Sequence, residues 1–215
     1  RHVLLASRSG RVAHSGAEQH EQGTKQLHVL LEAGTAAVVA CDASGADELR
    51  ALHQLAGHVH RLCGILHAAG QLNDALVRSM SAAQMESVFG SKARCASLLH
   101  AGTATLALEA LVLFSSFSSA LGNVGQGNYA AANACLDSLA PARQSHGLRA
   151  CTLQLPSVPG AGMGQATIDA SSDMQHAAQL QEHSIDLDLF GAALWRMLAG
   201  ARSGQVATEA VVPHT

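Results

Sequence analysis

Four polar residues have the types and spacing that proton transfer to a carbonyl group needs: Tyr129, Asn133, Ser116 and Lys92. Tyr129 and Asn133 are four residues apart, so they share one face of the helix predicted there. Ser116 ends the apolar strand before that helix, and Lys92 lies on the helix before the strand. A free tyrosine has a pKa of about 10, and a nearby ammonium lowers that pKa toward the neutral range. A serine hydroxyl can hydrogen-bond the substrate oxygen and stabilise the charge that develops on it.

The elements that must position these residues follow from the alternation of short apolar runs with longer amphipathic stretches. That alternation is typical of βαβ units around a parallel sheet. We therefore predict an α/β fold with a doubly wound parallel sheet, with ligand chemistry at the carboxyl ends of its strands. The predicted strands are 3–7, 36–41, 63–67, 110–115 and 151–155. The predicted helices are 16–33, one through Leu49, Leu52 and Leu55, then 81–103, 128–144 and 187–199.

Length and composition favour one globular domain and argue against several classes of function. The chain has 215 residues, of which 48% are hydrophobic and 13% charged, so it can bury a substantial core. We expect a single domain over 1–215, with a less regular tail and a C-terminal helix in 163–215. A net charge of −3 gives no footprint for nucleic acid, and no apolar run approaches the ~18 residues of a membrane span.

Cysteine and histidine spacing argue against a metal site. The five cysteines are an odd number without a CxxC pair, so we expect reduced, mostly buried thiols rather than a disulfide framework. His58 and His60 form an HxH pair, but no carboxylate or third histidine follows at ligand spacing. We therefore expect no bound metal.

Three segments together carry a family resemblance: Gly-Ile-Leu-His-Ala-Ala-Gly at 64–70, Val-Leu-Phe-Ser-Ser at 112–116, and Gly-Gln-Gly-Asn-Tyr-Ala-Ala-Ala-Asn at 125–133. Their order and spacing resemble the ketoreductase domains of modular polyketide synthases, which belong to the short-chain dehydrogenase/reductase superfamily and have a Rossmann-like sheet. In most members of that superfamily a lysine lies four residues after the tyrosine. Here that place holds Asn133, and the lysine is Lys92 in Phe-Gly-Ser-Lys, an exchange typical of the polyketide synthase subgroup.

The resemblance covers about 2–165 and implies a role for each of the four polar residues. Tyr129 would be the proton donor, Ser116 the hydrogen-bond donor to the carbonyl, Lys92 the group that lowers the tyrosine pKa, and Asn133 a supporting polar residue. The implied reaction is NADPH-dependent reduction of a β-ketoacyl thioester carried by an acyl carrier protein. Other synthase domains would then be partners in the same polypeptide, as in polyketide and fatty acid biosynthesis.

The resemblance also implies the residues that hold NADPH. They lie in three groups, each after a predicted strand. Ser7 and Arg8 would contact the 2′-phosphate, and Asp42 and Ala43 the adenine. Ala68, Ala69 and Gly70 would let the ribose and the nicotinamide approach the backbone.

One further loop bears on the stereochemistry of the product alcohol. Leu72, Asn73 and Asp74 resemble the Leu-Asp-Asp loop of ketoreductases that make the D-configured (B-type) alcohol. The tryptophan typical of the opposite class would fall at Leu121. The resemblance therefore implies a B-type product.

Two departures from the family pattern leave other functions open. The family's first strand and glycine-rich pyrophosphate loop would precede Arg1, so we expect an N-terminally truncated domain that binds NADPH weakly. The family usually has Trp-Gly-Pro-Trp where this chain has Leu-Pro-Ser-Val at 155–158. A non-catalytic scaffold domain of a synthase is the main alternative, and the Lys/Asn exchange disfavours a standalone dehydrogenase. We see no signal or transit peptide and expect a cytoplasmic protein.

Overall fold

The structure, a computed structural model, describes residues 2–11, 18–59, 61–158, 163, 184–203 and 208–211. The chain divides into two compact units, Arg1–Leu62 and Cys63–Thr215. The elements of the first unit are β1 (Val3–Ser7), α1 (Glu18–Glu32), β2 (Ala36–Ala40) and α2 (Ala46–Val59). Those of the second unit are β3 (Gly64–His67), α3 (Ala82–Phe89), a π-helical turn (Gly90–Arg94), α4 (Cys95–Gly102), β4 (Ala110–Ser116), α5 (Ser118–Leu121), α6 (Gly127–Ser145), β5 (Cys151–Leu155), α7 (Leu187–Ser203) and β6 (Thr208–Ala210).

The sheet of the first unit has two parallel strands, β1 and β2, in register from Val3 opposite Ala36 to Ser7 opposite Ala40. Neither strand is well buried, and Val3 is 49% exposed. The turn after β1 packs closely on the end of β2. Gly10 has a φ of +63°, and a Cβ on it would lie 3.1 Å from the backbone nitrogen of Ala40. Only glycine combines that backbone conformation with so close an approach.

The sheet of the second unit has four parallel strands in the order β3-β4-β5-β6. The central strand β4 buries Leu111, Val112 and Leu113 completely, as its continuous apolar run predicts. Val112 belongs to a core cluster that includes Ala193 and Met197 of α7. This packing anchors β4, whose carboxyl end carries Ser116.

The helix predicted over 81–103 is wrong in one respect, because a π-helical turn interrupts it. The helix starts with a capping box, in which the Gln84 N–H donates to Ser81 Oγ at 3.2 Å and the Ser81 N–H donates to Gln84 Oε1 at 3.0 Å. Between α3 and α4 the backbone widens into the π-turn Gly90–Arg94, which contains Lys92. Such turns are frequent at functional sites, and hydrophobic periodicity does not reveal them.

The predicted α/β fold with parallel strands is confirmed. The five predicted strands and four of the five predicted helices are present, with small shifts at their ends, and the helix predicted over 81–103 is divided into α3, the π-turn and α4. The 3₁₀ turn Val77–Ser79, α5 and β6 were not predicted, because three or four residues carry no periodic signal. Residues 164–183 of the predicted tail lie outside the described residues, and the single domain over 1–215 stays a prediction.

Within the described part of the chain, no helix is both long and apolar enough to cross a membrane.

Candidate active site

Three of the four polar residues carry a charge or a hydroxyl, and Lys92 is the most deeply buried of these three. Its side chain is only 2% exposed, and its Nζ donates a hydrogen bond of 3.0 Å to the backbone carbonyl of Phe114 on β4. The same Nζ lies over the ring of Tyr129, 5.2 Å from the ring centroid. A protonated lysine at that distance is attracted to the electron-rich face of the ring. The structure thus brings Lys92 and Tyr129 together, as the sequence predicts.

Burial lowers the pKa of the Lys92 ammonium to about 8, and the carboxylate of Asp137 partly opposes that shift. The physical cause is loss of hydration, which penalises the charged form of any buried amine. Asp137 is on α6, two helical turns beyond Tyr129, so the same helix supplies both the aromatic ring and the opposing charge. At neutral pH Lys92 still carries its proton.

The pKa of Tyr129 is raised in this structure, and the role of Lys92 in lowering it stays a prediction. Burial is the largest cause, and the negative charge of Asp74 adds to it. Hydrogen bonding from the side chains of Asn133 and Ser116 acts in the opposite direction but does not prevail. The Lys92 ammonium donates a hydrogen bond to the Phe114 carbonyl and lies over the face of the Tyr129 ring. Burial of the phenol therefore determines the direction of the Tyr129 pKa shift. Tyr129 therefore holds its proton at neutral pH.

Ser116 and Asn133 lie beside Tyr129 and are held by local backbone contacts. Ser116 Oγ accepts a hydrogen bond of 3.2 Å from the Ser118 N–H, which leaves its own hydroxyl proton available for donation. Asn133 is completely buried, and its Nδ2 donates to the backbone carbonyl of Tyr129 at 2.9 Å. Among the described residues, Asn133 Oδ1 has no hydrogen-bond partner. A buried acceptor of this kind can take a hydrogen bond from a bound molecule.

The loop predicted to control stereochemistry is tied to the segment just before Tyr129. Gln126 Nε2 donates to Asp74 Oδ2 at 2.9 Å, and Asn128 Nδ2 donates to the Asn73 carbonyl at 2.9 Å. The sequence pattern predicted no role for Gln126 or Asn128, although both lie within three residues before Tyr129, in the segment at 125–133 that carries the family resemblance. The loop and the tyrosine therefore share one hydrogen-bonded network.

The two leucines of the stereochemical prediction differ in environment. Leu72 is half-buried, whereas Leu121, at the end of α5, is 81% exposed. Leu121 is thus open to a bound molecule, as a residue that guides substrate must be, but the structure does not bring it into the buried group around Lys92.

Gly70 lies against the buried lysine. A Cβ on Gly70 would be 2.9 Å from Lys92 Cε and 3.0 Å from Met163 Cε, closer than real Cβ atoms come. Sequence reasoning assigned Gly70 to the approach of a cofactor, but in this structure its missing side chain first makes room for the stem of Lys92. The neighbouring Ala68 and Ala69 are exposed small residues at the carboxyl end of β3.

The first unit brings the other predicted cofactor residues to two adjacent strand ends. The N–H of Cys41 donates to the Ser7 carbonyl at 2.9 Å, which links the ends of β2 and β1. Asp42 accepts hydrogen bonds from the Ser44 backbone and hydroxyl at 3.0 and 2.7 Å, and these contacts lower its pKa. The nearby Arg8 guanidinium, which is exposed, contributes a smaller lowering. Ala43 follows, half-buried.

Polyketide synthases and their ketoreductases are among the known proteins that this chain resembles. Polyketide synthase GfsA of Streptomyces halstedii is 46% identical over 154 residues, which are 71% of this chain and 2% of that protein. The phenolphthiocerol synthesis polyketide synthase type I Pks15/1 of Mycobacterium marinum is 41% identical over 150 residues, 69% of this chain and 7% of its own length. A solved structure of A-type ketoreductases from a modular polyketide synthase is 31% identical, with a TM-score of 0.79.

These relatives are much longer than the chain described here. The chain spans only a small share of the two synthases and 42% of the solved ketoreductase, although that structure covers 100% of this chain. The family model for the KR domain matches residues 1–160. This chain therefore belongs to the ketoreductase (KR) domain family of polyketide synthases.

Proposed function

We propose that this chain reduces the β-keto group of a thioester, carried by an acyl carrier protein, to a β-hydroxyl group. The observation that carries the proposal is the buried arrangement of Lys92 over the ring of Tyr129, with Ser116 acting on the tyrosine hydroxyl. Tyrosine, serine and lysine at the carboxyl end of a parallel strand are suited to proton delivery to a carbonyl oxygen. NADPH, when bound, supplies the hydride.

Features of each unit support NADPH as the cofactor. In the first unit, the exposed guanidinium of Arg8 at the end of β1 suits a phosphate monoester, which arginine binds with charge-assisted hydrogen bonds. Asp42 and Ala43 would contact the adenine, with Ser7 beside Arg8. In the second unit, the small exposed Ala68 and Ala69 leave the backbone after β3 open to a ribose and a nicotinamide. The unpartnered Oδ1 of Asn133 can accept a hydrogen bond from a hydroxyl group.

The proton chemistry of the proposed reaction follows from the pKa directions. Because its pKa is raised, Tyr129 is fully protonated at neutral pH and can donate its hydroxyl proton to the substrate oxygen. Ser116 donates a hydrogen bond to the same oxygen and stabilises negative charge on it. The phenolate left behind lies under the Lys92 ammonium, which favours it electrostatically until a proton returns. By favouring the phenolate, the Lys92 ammonium would oppose the effect of burial on the Tyr129 pKa.

The stereochemistry, partners and location of the reaction are part of the same proposal. The hydrogen bond between Asp74 and Gln126 supports a role for the Leu72–Asp74 loop in orienting substrate, with a B-type alcohol as product. Leu121 would line the outer part of the substrate path. The acyl carrier protein and the neighbouring synthase domains would be in the same polypeptide, in the cytoplasm.

The test is an NADPH oxidation assay with a β-ketoacyl thioester. Because the chain spans only part of its solved relatives, the assay uses a chimera in which the first strand and glycine-rich loop of a related ketoreductase precede residue 2. We expect NADPH consumption with formation of the β-hydroxyacyl thioester, and loss of most of that activity in Tyr129→Phe. Ser138→Ala, at an exposed serine of the same helix, is the matched control.

Two results would count against the proposal. Full activity in Tyr129→Phe would remove the tyrosine from the reaction. A folded chimera that binds NADPH but reduces no β-ketoacyl thioester would favour the alternative, a non-catalytic scaffold domain.

A further inference from the structure

We propose that His67 is the positioning residue for Lys92, holding the backbone of the lysine while β4 holds its ammonium. The proposal rests on the proposed function only for the importance of Lys92. No role for His67 follows from the sequence pattern, although the residue lies in the segment at 64–70 that carries the family resemblance.

The contact that supports this role is direct and buried. His67 ends β3, is only 4% exposed, and its Nε2 lies 3.1 Å from the backbone carbonyl of Lys92. A carbonyl only accepts hydrogen bonds, so Nε2 carries the ring proton and donates it. Nδ1 is then the acceptor, and Cys95 Sγ lies 3.7 Å from it. The thiol on α4 therefore selects the tautomer that donates to Lys92.

The imidazole acts as an uncharged donor. Burial lowers the pKa of His67 to about 4, and the nearby Lys92 ammonium lowers it further, while the hydrogen bond to the Lys92 carbonyl acts the other way. His67 is accordingly neutral throughout the range in which Lys92 titrates. Replacing it changes the geometry around Lys92 without changing the local charge.

Two adjacent strands thus form hydrogen bonds with the two ends of Lys92, its backbone carbonyl and its side-chain ammonium. β3 reaches the Lys92 backbone through His67, and β4 reaches the Lys92 ammonium through the Phe114 carbonyl. The strands are neighbours, with His67 directly opposite Leu113, the residue before Phe114. Lys92 lies in the π-turn, and its carbonyl is shared between the Cys95 backbone N–H of the helix and His67 of the neighbouring strand. Gly70 leaves the space that the extended side chain needs.

The test measures the pKa of Lys92 directly in the chain as it exists, without cofactor or substrate. The chain has only two lysines, Lys25 and Lys92, so ¹³C-lysine labelling gives two resonances to follow through a pH titration by NMR. Three variants are compared with the parent chain: His67→Leu removes the donor, His67→Gln returns a donor near the Nε2 position, and His67→Asn holds an amide too short to reach it. The titratable groups that act on Lys92, Tyr129 and Asp137 on α6, are unchanged in all of them.

We expect the pKa of Lys92 to rise by about one unit or more in His67→Leu and His67→Asn, because a released side chain regains hydration. We expect His67→Gln to keep the parent value. Should the leucine variant not fold, the glutamine and asparagine variants alone decide the question. An unchanged Lys92 pKa in folded His67→Asn overturns the proposal, and so does a shift of equal size in His67→Gln.

The result is independent of the proposed function. A Lys92 pKa that responds to His67 in a domain that reduces no thioester would leave the positioning role standing and remove the proposed reaction. Conversely, the chimera could be active while the Lys92 pKa keeps its parent value in every His67 variant. That result would support the reaction and overturn the positioning role.

Discussion

The two units of the chain differ in how deeply they bury their strands. In the first unit, β1 and β2 form a two-stranded sheet, and Val3 is half exposed. In the second unit, β4 lies inside a four-stranded sheet and Val112 is completely buried. The residues we propose for proton transfer all belong to the second unit, which has the buried central strand. Arg8, which we propose binds a phosphate, is an exposed residue of the first unit. Burial is the largest cause of the pKa shifts of Lys92 and Tyr129, whereas an accessible charge is enough to bind an anion.

Matched valine substitutions measure this difference in packing. We expect Val112→Ala to lower the free energy of unfolding by about 2–3 kcal/mol, through lost burial and a residual cavity. Val3→Ala removes the same two methyl groups from a half-exposed position and should cost about 1 kcal/mol or less. Native-state hydrogen exchange, followed separately for the amides of each sheet, checks both values. Equal losses would show that the exposure of β1 in this structure does not describe its packing.

Matched lysine substitutions test the buried charge. The folded-state pKa of Lys92, about 8, is below its unfolded value of 10.5, so the folded chain releases this proton first as pH rises. The free energy of unfolding should therefore increase between about pH 8 and 10, by about 2 kcal/mol from this group. Tyr129, with its raised pKa, acts in the opposite direction only above about pH 10.

Urea unfolding at the two pH values isolates the contribution of Lys92. Lys92→Met should remove the increase, whereas Lys25→Met, at an exposed position of α1, should retain it. If both variants keep the parent dependence on pH, the Lys92 ammonium is not buried in the folded chain.

Replacing a glycine by alanine should destabilise the second unit at one position and stabilise the first unit at another. Gly70→Ala places a Cβ 2.9 Å from Lys92 Cε and should cost about 1–3 kcal/mol, because the buried lysine has to move. Gly57, near the end of α2, has no atom within 4 Å of an added Cβ. Gly57→Ala should therefore stabilise its helix by about 0.5–1 kcal/mol. Thermal unfolding of both variants provides the measurement, and a neutral Gly70→Ala would mean that Lys92 does not occupy this space.

The smallest expected effect concerns the charge opposite Lys92. Asp137 raises the pKa of Lys92, so Asp137→Asn should lower that pKa below about 8, by a few tenths of a unit to about one unit. The ¹³C-lysine titration measures it, with the Lys25 resonance as an internal reference. A rise instead of a fall would mean that Asp137 does not face Lys92.

Local patterns in the sequence predicted the parts of the site that lie along single elements. The four-residue spacing placed Tyr129 and Asn133 on one helix face, and the apolar run of β4 placed Ser116 at its end. Three interactions could not be predicted: the hydrogen bonds of His67 with Lys92 and of Gln126 with Asp74, and the electrostatic effect of Asp137 on the Lys92 pKa. Each joins residues distant in sequence, and the π-turn that sets the direction of Lys92 leaves no periodic signal. The raised pKa of Tyr129 also could not be predicted, because its largest cause is burial, which residue spacing does not measure.

We propose that Tyr129 delivers the proton and that Arg8 binds the 2′-phosphate of NADPH. The most direct test is the steady-state kinetics of Tyr129→Phe and Arg8→Ala in the same chimera. We predict that Tyr129→Phe lowers kcat by about 10²–10⁴-fold with little change in the KM for NADPH. Arg8→Ala should raise that KM about tenfold or more and leave kcat nearly unchanged. A Tyr129→Phe variant with the parent kcat, or an Arg8→Ala variant that loses kcat but not KM, would contradict the account.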